Sequence, residues 1–208
     1  MSLDASSPTG GASVGTAQQG AGGGNGGGTC PLTIVEHKVI AVETDTVTFN
    51  SGLNGDTDGL YRLVVRGIGG SNVTAALGVL INFNGDVSGA NHYRFLYNRI
   101  FGISPTATTE QLGGFATAGG IAGFTGLPGD AWSSDLTLQP KSGAARICWG
   151  THANDNLSSA NGVGFGQLVT TWHDSVSILS QITLVSSTAG LNVFGVGSEL
   201  TLFKQALS

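Results

Sequence analysis

From Pro31 onward, apolar and polar residues alternate in short runs punctuated by Gly, Asn, Asp and Pro. "LTIVEHKVI", "DTVTFN", "LYRLVVRG", "GVLINFNG" and "HYRFLYNRIFG" fill the first half. "SDLTLQP", "AARICWG", "GQLVTTWHD", "VSILSQITLVSS", "LNVFGVG" and "SELTLFKQ" follow. A period of two in runs rich in Val, Ile, Thr and aromatics predicts strands, and the closely spaced turns predict an antiparallel sandwich or barrel. Helical periodicity never exceeds a couple of turns. "TTEQLGG" (Thr108–Gly114) predicts one helical turn, and "GGFATAGGIAGFTGLPG" (Gly113–Gly129) a long loop. Among the aromatics, Phe95, Trp149 and Trp172 sit in strands and are expected in the core. Trp132, after "PGDA", is the one expected to be exposed.

The pattern is absent from Met1–Thr29, which holds ten of the 35 glycines and Asp4 as its only charged side chain. Such a segment buries too little apolar surface to offset its chain entropy, so it is expected to be ordered only in an assembly. The predicted class is therefore all-β: one antiparallel domain, sandwich or barrel, over residues 30–208, with an extended Gly-rich arm over 1–29. Leu3 and Val14 in the arm, and Phe115 and Phe124 in the second Gly-rich stretch, are the candidate assembly contacts.

Composition narrows the possible roles. Of 208 residues, 40% are hydrophobic and only 10% are charged, against about 25% in an ordinary soluble protein. A surface so poor in charge suits subunit contacts or neutral hydrogen bonding. The net charge is −5 and the eight Lys and Arg are dispersed, so a nucleic-acid partner is not expected. No apolar run is long enough to span a bilayer, no basic leader precedes an apolar segment, and synthesis in a cytoplasm is the expectation. Cys30 and Cys148 are too far apart for a CxxC pattern. A disulfide between them would close a long loop, but two free thiols, with Cys148 in a strand, fit a reducing site of synthesis better.

One stretch invites a metal. Asn54-Gly-Asp56-Thr-Asp58-Gly59 begins like a calcium loop, with oxygen-bearing side chains at alternate positions before a glycine. The twelfth position, where a bidentate Glu is needed, is Val65 in an apolar strand, which excludes an EF-hand. Asp56 and Asp58 remain weak candidates for a looser site, and the expected role of both is to make a turn. No cofactor is expected. Catalysis has little to build on: His37, His92, His152 and His173 are scattered. "WHDS" puts His173, Asp174 and Ser175 on alternating faces of a strand, where they cannot form a triad. "GASVG" (Gly11–Gly15) lacks the strand and helix of a nucleophile elbow, and "GVGFG" (Gly162–Gly166) lacks a βαβ setting. An enzyme is not expected. Sugar binding is a rival reading, with Trp132 as the stacking residue and Trp149, Trp172, Tyr93 and Tyr97 as further aromatics.

Two stretches carry a resemblance. "FNSGLNGDTDGLYRLVV", continued by "INFNGD" and "HYRFLY", resembles the first hairpins of β-sandwich structural proteins of tailed bacteriophages. "ITLVSSTAGLNVFGVGSELTLFKQ" (Ile182–Gln205) resembles their closing strands, with Phe203 where Tyr is common. The resemblance spans Ile40–Gln205 loosely and these stretches more closely. It implies an antiparallel β-sandwich (jelly-roll-like) virion protein, often a trimer, that decorates or cements the capsid. Its partners would be the major capsid protein and copies of itself (a homotrimer), and its place the capsid exterior. A tail, neck or fibre part is the alternative within the same family.

Overall fold

The computed structural model describes residues 32–75, 77–87, 92–101, 108–116, 119–125, 127–156 and 162–206. Twelve strands cover them: β1 (Thr33–Val39), β2 (Thr46–Phe49), β3 (Asp58–Ile68), β4 (Gly78–Phe83), β5 (Tyr93–Phe101), β6 (Thr108–Ala116), β7 (Gly120–Phe124), β8 (Ala131–Gln139), β9 (Arg146–Asn156), β10 (Gly162–Trp172), β11 (Ile182–Ser186) and β12 (Glu199–Ala206). The arm, with Leu3, Val14 and Cys30, lies outside the described residues.

Pairing is nested. β4 pairs with β7, β3 with β8, β2 with β11 and β1 with β12, all antiparallel. Such a chain is one long hairpin, and rolling it up places alternate pairs in two facing sheets, which is the jelly-roll arrangement. β12 closes against β3, and β11 against β4. The hairpins β5–β6 and β9–β10 then extend one sheet. The final orders are β1-β12-β3-β8-β9-β10-β5-β6 and β2-β11-β4-β7. The predicted antiparallel sandwich is therefore present.

Strand alternation builds a single core. Tyr61, Leu63 and Val65 on β3, Leu136 and Leu138 on β8, and Leu200 and Leu202 on β12 face in from the large sheet. Phe49, Ile81, Phe83 and Leu184 meet them from the small one. Each such side chain contributes about 1.5–3 kcal/mol by leaving water.

Several expectations change. Thr108–Gly114 is not a helical turn; it lies in β6, paired residue for residue with β5. Gly113–Gly129 is not one loop, since it contains the end of β6 and all of β7. Small residues serve β7 because it runs close over β10: a Cβ on Gly120 would stand 1.8 Å from Cγ2 of Thr170. Glycine here marks a close approach of the sheets, not a turn.

The tryptophans trade places. Trp132 is 3% exposed and Trp149 is 38% exposed, the reverse of the expectation. β8 turns Trp132, Ser134, Leu136 and Leu138 inward, and the Trp132 indole donates to the Val193 carbonyl at 3.3 Å. Gly67 on the neighbouring strand makes the room. Trp172 is fully buried as expected, and Phe95 is half-buried against the core. A Cβ at Gly67 would lie 2.0 Å from Cε2 of Trp132. Gly67→Ala is therefore expected to lower stability by about 2 kcal/mol in urea unfolding and to red-shift the tryptophan emission.

Candidate functional site

The Asn54–Asp58 corner is a closed hydrogen-bond cluster. The Asn54 carbonyl accepts from the amides of Thr57 (3.2 Å) and Asp58 (2.9 Å), and the Asn54 side chain accepts from the Asp56 amide (3.1 Å). Asp58, buried, accepts from the Tyr61 hydroxyl at 2.5 Å and the Asn54 amide at 3.2 Å, and its other oxygen meets Lys204 at 3.2 Å. Burial and the Asp58 carboxylate push the Tyr61 hydroxyl well above the usual range, so it stays a donor. Asp56 points elsewhere and accepts from the Ser142 amide at 2.9 Å; the Ser142 side chain and amide hold its carboxyl below the ordinary value. The two carboxylates thus serve different loops and do not converge. Among the described residues, no three His, Cys, Asp or Glu side chains form a group that would hold a metal.

Several other titratable groups are tied into the fold. His92 Nδ1 lies 2.8 Å from Asp86 Oδ2, which also accepts from the Trp172 indole at 2.8 Å. Asp174 accepts from the amides of Val176 and Ser177, making a turn; His173 instead meets Thr171 Oγ1 at 3.1 Å. Inside the sandwich, Tyr97 and His152 are 2.5 Å apart at their polar atoms, and Phe124 stacks on both rings. Phe124 thus packs inward. Phe115 lies in β6 opposite Arg94 in register. The Cys148 thiol is free, and burial pushes it up to about 12, so it is inert.

At the base of β9 lies Arg146, 1% exposed, which sequence reading passed over. Its guanidinium donates to the Pro140 carbonyl at 2.8 Å and to the carbonyls of Asp174 and Ser177, and stacks on Trp172 with 4.5 Å between centres. Burial pushes its pKa down, opposed by Asp174 and Asp56.

The outer face of the large sheet is the most distinctive surface. On β9 the inward positions are Arg146, Cys148, Gly150, His152 and Asn154, so Ile147, Trp149 and Ala153 face out. On β10, Gly164 and Gly166 face in. A Cβ at Gly164 would lie 2.3 Å from Asn154 Oδ1, and one at Gly166 would lie 2.8 Å from His152 Nε2. Only glycine leaves room for those polar side chains, and the large residues between, Val163, Phe165 and Val169, point to solvent. With Leu96 (60% exposed) and Ile100 (52%) on β5, they form apolar rows on either side of Thr151, Gln167 and Asn98. At one end opens a cleft of about 690 Å³ whose lining includes Arg66, Asp155 and Glu199.

Comparison with protein-family models, curated proteins and solved structures finds no match to the chain. The site therefore rests on geometry alone. The alternation Val-Gly-Phe-Gly in β10 was the available sequence signal for the apolar face.

Two outcomes check the corner. Calcium is expected to leave the melting temperature unchanged. Asp58→Ala, which leaves the buried Tyr61 hydroxyl without its acceptor while Lys204 keeps the Gly52 carbonyl, is expected to destabilise by about 2 kcal/mol in urea. For Asp56, whose folded value lies below the ordinary 3.8, the Ser142 contact adds stability above that pH and loses it as the pH falls through the folded value. The Tm gap between wild type and Asp56→Asn should thus be full at neutral pH and close in acid, as read by thermal melts across pH.

Proposed function

We propose that this chain is a structural subunit of a bacteriophage virion, a capsid decoration (cement) protein on the outer shell. The observation that carries the reading is the broad outer face of the eight-strand sheet, where large apolar side chains stand in water beside neutral polar ones. Exposed apolar patches of that kind mark contact surfaces. The chain's resemblance to tailed-phage β-sandwich proteins supplies the setting, and its low charge agrees with a surface given to contacts.

The role is mechanical. A rigid sandwich seated across joints between capsid subunits adds contacts that internal pressure would have to break, and many copies multiply a modest single affinity. Met1–Thr29 serves in this reading as an anchor, since Gly and Ala let two backbones approach closely. Undecorated shells mixed with the full chain and with a Met1–Thr29 deletion provide the test by cosedimentation. The full chain should bind and the deletion should bind at least tenfold less. Equal binding removes the anchor, and no binding by either removes decoration. A copy number of only a few per virion would point to a tail, neck or fibre part instead.

A further inference from the structure

Between β12 and β10 the outer face of the large sheet is hollow. Glu199 on β12, Arg66 on β3, Ser133 on β8, Ala153 on β9 and Phe165 on β10 stand in one row, each in register with the next. One row further along, Ile68 lies opposite Ala131 and Asp155 opposite Val163. Small side chains (Ala131, Ser133 and Ala153) therefore floor β8 and β9. Larger ones rise from β3 and β10, three strand spacings or about 14 Å apart. The cleft of about 690 Å³ occupies this trough. Two smaller hollows share Arg66 with it, one of about 280 Å³ reaching Phe165 and one of about 190 Å³ reaching Phe203.

The polar groups of the trough are the ones the fold does not use. Arg62, on the same face of β3, is held by Asp135 at 2.8 and 2.5 Å. The Arg66 guanidinium makes no hydrogen bond or ion pair among the described residues, and neither does the Glu199 carboxylate. Asp155 Oδ1 is buried without a hydrogen-bond partner, a cost that a ligand's donor would remove. We infer that this trough binds a neutral oligosaccharide built of hexopyranose units.

A sugar hydroxyl both donates and accepts, so one ring can donate to Asp155 and Glu199 and accept from Arg66. Its C–H faces pack on Ile68, Ala131 and Val163, and further rings of the chain reach Phe165 and Phe203. Trp132 is buried and takes no part in the stacking. The cleft volume falls within the roughly 300–1,000 Å³ of small-molecule sites. Other ligand classes fit worse. Two carboxylates against one guanidinium repel a phosphate or an acidic sugar. An apolar ligand would bury those charges unpaired. A peptide brings an N–H and a C=O at every residue, whereas β3, β8 and β9 are each paired on both sides and have few backbone groups to spare.

Glycan capture goes beyond the mechanical role and needs no shell, so the labelled full chain is tested alone on a glycan array. Neutral hexose and N-acetylhexosamine oligosaccharides should bind, and sialylated or sulfated ones should not. For a neutral glycan that binds, Asp155→Ala and Arg66→Ala should each weaken the affinity about tenfold or more by titration calorimetry. Asp155→Ala should not lower the melting temperature, because the carboxylate oxygen it removes has no partner in the fold. No neutral glycan bound, binding confined to acidic glycans, or an affinity unmoved by either substitution would overturn the proposal. A melting temperature lowered by Asp155→Ala would also overturn it, by making that carboxylate part of the fold. A chain that ignores every glycan but binds arrayed peptides through Arg66 would assign the trough to a protein partner instead. Glycan binding by the free chain and cosedimentation with shells are read separately, so either can fail alone.

Discussion

Arg146 fixes which way β9 faces, and much of the molecule follows. Its buried guanidinium holds the carbonyls of Pro140, Asp174 and Ser177 and lies on Trp172, so two loops and the end of β10 converge on it. Leaving those carbonyls unpaired would cost about 1–3 kcal/mol each. Because side chains alternate with a period of two, an inward Arg146 commits Cys148, His152 and Asn154 to the interior. It sends Ile147 and Trp149 out. β10 follows through its register with β9, with glycines beneath and Val163, Phe165 and Val169 above. The apolar exterior is thus the other side of a polar interior.

Much of the architecture was legible in the chain. Alternation located most strands, and the corner at Asn54–Asp58 behaves as its Asn, Asp and Gly content implied. Legibility failed where composition and tertiary role diverge. β7 looks like a loop because Gly and Ala dominate it, yet those residues let it lie against Thr170. Trp132 follows turn residues and looked exposed, while a glycine on the adjacent strand opens a slot for its indole. Trp149 sits in a well-formed strand and looked like core, but no local pattern announces that an arginine three residues earlier has claimed the inside. Parity is set by a contact distant in sequence.

The same logic shapes the functional reading. Asp56, Asp58, Asp86 and Asp174 each have protein partners that give them structural work, in corners, turns and the Trp172 indole contact. The polar groups turned inward leave the outside of three strands almost free of charge. What the exterior of those strands offers is shape, apolar area and neutral amides.

The nested pairing has one more consequence. β1 and β12 are the outermost pair of the rolled hairpin, and Thr33 lies opposite Lys204. The entry to the first strand and the exit of the last are therefore neighbours at one corner, where Lys204 also reaches Asp58. The chain enters β1 at Thr33 and runs through the end of β12 at the same corner, at the far side of the sheet from β9, β10 and β5.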